Sequence, residues 1–140
     1  MKVEDISPQG AATIASADVA VVTIVVCASC RDETGSDAYP RAGAILVQNT
    51  QAAADDSILV RQVECLGNCK RRLSAAILRD GSWSYVFGDL TTESAPDLIV
   101  GARLFATSTD GLIPWHGRPA SLKRGLVARI PPLDALKDIA

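Results

Sequence analysis

The sequence predicts an α/β domain: a mixed sheet in the order βαβ–ββ–α, helices packed on it, and a short helical extension at the C-terminus. Three observations lead there. Two β-branched runs, VVTIVV and ILVRQV, flank a stretch of helical composition. A second pair of strand-like runs surrounds Asp80-Gly81, a strong hairpin signal. Beyond it, Leu98, Ala102 and Phe105 fall at helical spacing. At 140 residues and 48% apolar content, the chain is one domain long and can bury a core without metal or disulfides.

The elements follow in order. Residues 1–17 are Ala/Ser-rich without periodicity and read as a flexible leader, leaving 18–140 as a single domain. Val19–Val26 is continuously apolar, the pattern of a strand covered on both faces. RDETGSD is a polar loop, and Asp37 is expected to cap a helix that has Pro40 in its first turn and runs through RAGAILVQNTQAAADD. Ile58–Val63 is the second strand, parallel to the first because a helix joins them. LSAAILRD and SWSYVFGDL form the hairpin, with Trp83, Tyr85 and Phe87 alternating onto one face. Ser94 is expected to cap the next helix, with Pro96 in its first turn and Asp110-Gly111 beyond its end. A short helix from Pro119 should turn Leu122, Leu126 and Val127 inward and stop at Pro131-Pro132. This order is that of a thioredoxin-like layer.

All four cysteines sit in two tight pairs, Cys27-Ala28-Ser29-Cys30 and Cys65-Leu66-Gly67-Asn68-Cys69, with 34 residues between them. Each pair directly follows one of the two parallel strands, so both lie at the sheet edge where open α/β sheets place their sites. Four converging thiolates are a metal or iron–sulfur site. Two short pairs suit a rhombic 2Fe–2S core, one pair gripping each iron. Gly67 allows the positive φ needed to wrap closely around sulfur, and the N–H groups of Gly67 and Asn68 are candidate donors to it. Arg31, Lys70, Arg71 and Arg72 flank the pairs and favour a dianionic cluster or steer an acidic redox partner protein. Two other chemistries use the same residues: a four-thiolate zinc or cobalt site, and a dithiol at Cys27/Cys30. The dithiol reading leaves the second pair unexplained.

Other features exclude functions. A net charge of −2 and few aromatic residues argue against nucleic-acid binding. The run VAVVTIVV is too short to cross a membrane, and Glu4 and Asp5 stand where a signal peptide is basic, so a cytoplasmic protein is expected. In that compartment paired cysteines more often bind metal than form disulfides. The single histidine, His116, and the absence of a phosphate-binding Gly-rich motif argue for an electron carrier or metal-binding protein over an enzyme. His116 reads as a loop residue, with a ligand role as the alternative. Trp83 and Trp115 are candidates for core packing or for shielding the cluster. Asp32, Glu33 and Asp37 read as a solvated loop. The partner and any homodimer are left open.

The segment VECLGNC resembles the second cysteine pair of thioredoxin-like 2Fe–2S ferredoxins and the related small subunit of respiratory NADH dehydrogenase. That resemblance implies Cys27, Cys30, Cys65 and Cys69 as cluster ligands, although the family spaces its first pair more widely. A longer resemblance, over about residues 19–132, rests on CLGNCKRR, WSYVFGDL, GARLFATSTDGLIPWHGRP and VARIPP. These are similar to a bacterial family of small metal-binding proteins without a settled function, associated with cobalamin synthesis. It implies a ferredoxin-like partner of corrinoid metabolism.

Overall fold

The computed structural model describes residues 20–32 and 34–137; the expected leader, Val19 and Glu33 lie outside these. Strand β1 (Val22–Cys27) leads through a loop to helix α1 (Ala42–Ala53) and strand β2 (Ile58–Val63). A single 3-10 turn (Cys69–Arg71) precedes the hairpin β3 (Ala75–Leu78) and β4 (Ser84–Phe87). Helices α2 (Ala95–Ala106) and α3 (Ala120–Arg124), strand β5 (Leu126–Ile130) and the single turn α4 (Leu133–Leu136) complete the chain. The sheet order is β2-β1-β3-β4-β5, with β1 and β2 parallel and every other pairing antiparallel.

Residue pairing explains which face became the core. Ile24 lies beside Val60 on one side and Ile77 on the other, and Ile77 lies opposite Tyr85. Val22, Ile24, Val26, Ile77, Tyr85 and Phe87 are all essentially sealed from solvent, under α1 and α2, which pack on β1 and on each other. Leu98, Ala102 and Phe105 supply the apolar stripe of α2 at the expected spacing. Phe105 meets Tyr85 edge-on at 5.6 Å, and removing such a buried ring costs ~3–5 kcal/mol. Tyr85 and Phe87 stack at 6.1 Å, while Trp83 is only partly buried against the core.

Four expectations change. The first strand is covered on one face only: Thr23 and Val25 are half-buried and Leu59 exposed, because both large helices share the opposite face. Asp37 does not cap α1; its carboxylate sits 2.8 Å from Arg31 and 3.9 Å from Arg41, and Arg41 holds the N-cap position without a side-chain bond. Ser94 holds the N-cap position of α2, but its Oγ accepts the Thr91 N–H, not a helical one. The C-terminal extension is helical at α3 and α4 but becomes a fifth strand between them. Leu122 turns inward, whereas Leu126 and Val127 belong to β5, which pairs with β4 and leaves Val127 exposed. The free edge of β4 offered Leu126–Ile130 a ladder of backbone bonds, broken only by a register shift between Val86 and Phe87.

Candidate metal centre

Backbone bonds beyond the strand ends bring the two cysteine segments together. The parallel pairing of β1 and β2 continues past Cys27, with Ala28 N–H donating to Val63 C=O at 2.8 Å and Ser29 N–H to Glu64 C=O at 3.3 Å. The Ser29 hydroxyl donates to the same carbonyl, as does the Cys27 thiol at 3.4 Å. Cys27 N–H donates to Ser74 C=O at 3.1 Å, tying the first pair to the chain that follows the second. The residues around Cys27 are thus bonded on both sides of the Cys65–Cys69 loop.

Helix α1 closes the first pair from a third direction. Gly43 N–H donates to Cys30 C=O at 2.9 Å. A Cβ on Gly43 would stand 2.1 Å from the Cys27 carbonyl oxygen, so the helix reaches this close only because residue 43 has no side chain. The second pair is held more loosely. Gly67 adopts a φ of +76°, as the spacing predicted, and its N–H donates to Cys65 Sγ at 3.2 Å. Asn68 turns its side-chain amide to Ser74 Oγ at 3.0 Å.

Cys27 and Cys30 are buried, at 2% and 6% exposure, with their sulfurs 3.0 Å apart. Cys65 and Cys69 are exposed, 3.9 Å apart, and all four are free. Cys27, Cys30 and Cys69 line one cavity of about 260 Å³, together with Ser29, Arg31, Arg41 and Arg72. Cys65 does not line it. Among the described residues, no three His, Cys, Asp or Glu side chains already form a group able to hold a metal ion.

Burial pushes the Cys30 thiol up to about 12, reinforced by Cys27 and, more weakly, by Cys69. Cys69 is also raised, chiefly by its contact with Cys65. Both shifts favour the protonated thiol. The Cys27–Cys30 pair runs into a loop, not a helix N-terminus, which counts against the dithiol reading. A bound cation reverses this balance by taking the thiolate and releasing the proton.

The donor set fits an anionic thiolate-held group. Three guanidinium groups share the cavity with three sulfurs, and Arg41 Nε is buried without a hydrogen-bond partner. A buried donor without a partner is costly, and a negatively charged group in the cavity would satisfy it. Nothing in the sequence distinguished Arg41 from other surface arginines, and Gly43 reads as an ordinary weak position in a helix. Of the basic residues flanking the pairs, Arg31 and Arg72 line the cavity, Arg71 pairs with Asp89 at 2.8 Å, and Lys70 is exposed. His116, Trp83 and Trp115 do not line it. Asp32 sits in a solvated turn as expected, its carboxyl held below the usual range by the Thr34 hydroxyl and neighbouring backbone N–H groups.

This sheet order and helix placement define the fold of thioredoxin-like ferredoxins. The structure superposes on that of a thioredoxin-like [2Fe-2S] ferredoxin from Aquifex aeolicus with a TM-score of 0.51 and 14% identity, over 81% of this chain and 96% of that one. A Cys-to-Ser variant of the thioredoxin-like [2Fe-2S] ferredoxin from Aquifex aeolicus gives 0.49 and 16% identity, over 76% and 98%. At such identities the likeness is one of fold. The chain itself belongs to the family described as protein of unknown function DUF1636, whose model matches residues 24–132. No curated protein matches it. Among the described residues no helix is long and apolar enough to cross a membrane.

Proposed function

We propose that this protein is a small electron carrier that holds a 2Fe–2S cluster through Cys27, Cys30, Cys65 and Cys69. The observation that carries this reading is the shared cavity: cysteines from both segments line it, with three arginines and no carboxylate. When bound, the cluster supplies one-electron redox chemistry. The chain's own residues do the rest. Cys27 and Cys30 present sulfur from the buried side, and Cys65 and Cys69 close from the solvent side. Arg31, Arg41 and Arg72 offset the negative charge of four thiolates, which favours retention and eases reduction. Gly67 N–H donates to the Cys65 sulfur, a contact that tunes potential. The exposed second pair is the side from which a redox partner protein would approach. The protein would then be a carrier, not an enzyme, and would work in the cytoplasm. The corrinoid setting comes from the family resemblance alone.

The second reading is a metal-binding or delivery protein with a thiolate zinc or cobalt site. It is favoured by one observation, that Cys65 stays outside the cavity: a single ion needs fewer sulfurs than a cluster, although the three that line the cavity are not already arranged to hold one. Anaerobic purification separates the two. The electron carrier is red-brown, contains iron and acid-labile sulfide in equal amounts, and bleaches on reduction. Colourless protein with stoichiometric zinc overturns it in favour of the second reading.

A further inference from the structure

A second charged cavity lies on the far side of the sheet from β2, between the loop Leu112–Arg118 and the β4–β5 pair. Its volume is about 470 Å³, within the range of small-molecule sites. Its walls combine apolar surface from Ile113, Pro114 and Leu126 with the guanidinium groups of Arg118 and Arg129.

Arg118 is the unusual member. Its residue is only 8% exposed, yet among the described residues no carboxylate pairs with it. Its Nε donates to Pro114 C=O at 3.3 Å and its Nη2 to Ile113 C=O, and a guanidinium carries more N–H donors than these two bonds use. It lies over the rings of Tyr85 and Trp115 at 5.5 Å and 5.2 Å. Burial is the main force against its charge; the Tyr85 hydroxyl beside it partly offsets this, and Arg129 across the cavity adds a weaker repulsion. Lys123 adds a third cation, 4.9 Å from the centre of the Trp115 ring. Asp110 also lines the cavity, but its Oδ1 is engaged by the Ser108 hydroxyl at 2.7 Å and Leu112 N–H at 3.1 Å. Carbonyl contacts and aromatic faces soften the cost of burying Arg118, but neither supplies an opposing charge.

We infer that this cavity binds a small organic carboxylate, its oxyanion between Arg118 and Arg129 and its compact apolar body against Ile113, Pro114 and Leu126. A carboxylate accepts two parallel N–H bonds from a guanidinium and removes the repulsion between the two arginines. The apolar wall gives a body such as an aromatic ring a place that a bare inorganic anion cannot use. None of these residues lines the cysteine cavity, so the inference is independent of what the cysteines hold.

Benzoate, acetate and inorganic phosphate serve as probes in calorimetric titrations of the full chain. The indole N–H resonances of Trp83 and Trp115 are followed in parallel, since Arg129 lies over Trp83 at 4.7 Å and Trp115 lines the cavity. Benzoate is expected to bind saturably at one site, more tightly than acetate or phosphate, and to shift both resonances. Arg118→Leu should abolish binding; because that change also removes the loop's bonds to Ile113 and Pro114, the exposed Arg129→Gln decides, with an expected loss of about tenfold in affinity. Arg103→Gln, a similar charge loss on α2, should leave affinity unchanged. The inference is overturned by no saturable binding up to about 10 mM benzoate, by acetate or phosphate binding as tightly as benzoate, or by an Arg129→Gln affinity equal to that of the unaltered chain.

Discussion

The two cysteine segments differ in every respect except their chemistry. Cys27 and Cys30 are part of the core, locked by backbone bonds to Glu64, Ser74 and Gly43. Cys65 and Cys69 ride on an exposed loop whose main internal anchor is the Asn68 amide on Ser74. One half of the candidate site is therefore built by folding, and the proposed cluster would have to organise the other. Such a division would suit the proposed redox centre: the buried half would limit solvent access, while the exposed half would leave its sulfurs open to a partner.

The largest test compares two glycines. Gly43→Ala drives a Cβ into the Cys27 carbonyl and forces α1 off the sheet, so we expect a loss of ~3 kcal/mol or more by urea unfolding of the metal-free protein. Gly67→Ala meets nothing within 4 Å and pays only for its left-handed backbone, ~1–2 kcal/mol. Equal losses would mean that the first segment is not the tighter one.

Serine substitutions sharpen the contrast at the sulfurs. Cys27→Ser and Cys30→Ser bury a stronger polar group and should each destabilise the metal-free protein by ~1–3 kcal/mol. Cys65→Ser and Cys69→Ser, both exposed, should stay within ~0.5 kcal/mol. Iron content after anaerobic reconstitution should nonetheless fall in all four. If Cys65→Ser alone kept a normal iron content and spectrum, Cys65 would not be a ligand, in keeping with its position outside the cavity.

A smaller effect is expected from Asp37→Asn. It releases Arg31 and Arg41 from their shared carboxylate and removes a negative charge near the cavity, so the midpoint potential should move positive in a redox titration. An unchanged potential would show that these arginines do not act on the first pair.

The smallest effect is on the loop after Cys30. Asp32 has its folded value lowered from the ordinary 3.8, so its bonds contribute stability above that value, lost as pH falls through the folded one. Amide exchange of Thr34 and Ser36 should rise below about pH 4 and should not do so in Asp32→Asn. The exposed second loop lacks any such carboxylate clamp among the described residues.

Much of this was legible in the sequence because it depends on local chemistry. Alternation and β-branching located Ile58–Val63, Asp80-Gly81 announced the hairpin, and the Leu98, Ala102, Phe105 spacing marked the buried face of α2. Close pairing of cysteines after two strands named the candidate ligands, and the position of Gly67 anticipated its positive φ. Each signal is carried by residues a few positions apart, where backbone geometry alone sets who meets whom.

What only the tertiary structure decided were encounters between distant segments. That Gly43 must lack a side chain follows from Cys27 arriving beneath it, and that Arg41 belongs to the sulfur cavity follows from where α1 begins. Whether Leu126–Ile130 is helix or strand turned on the unpaired edge of β4, and the burial of Arg118 beside Arg129 on a loop folding over that same pair. A chain specifies its periodicities by itself; which surfaces come into contact depends on how its elements pack, because burial and charge are shared among residues remote in sequence.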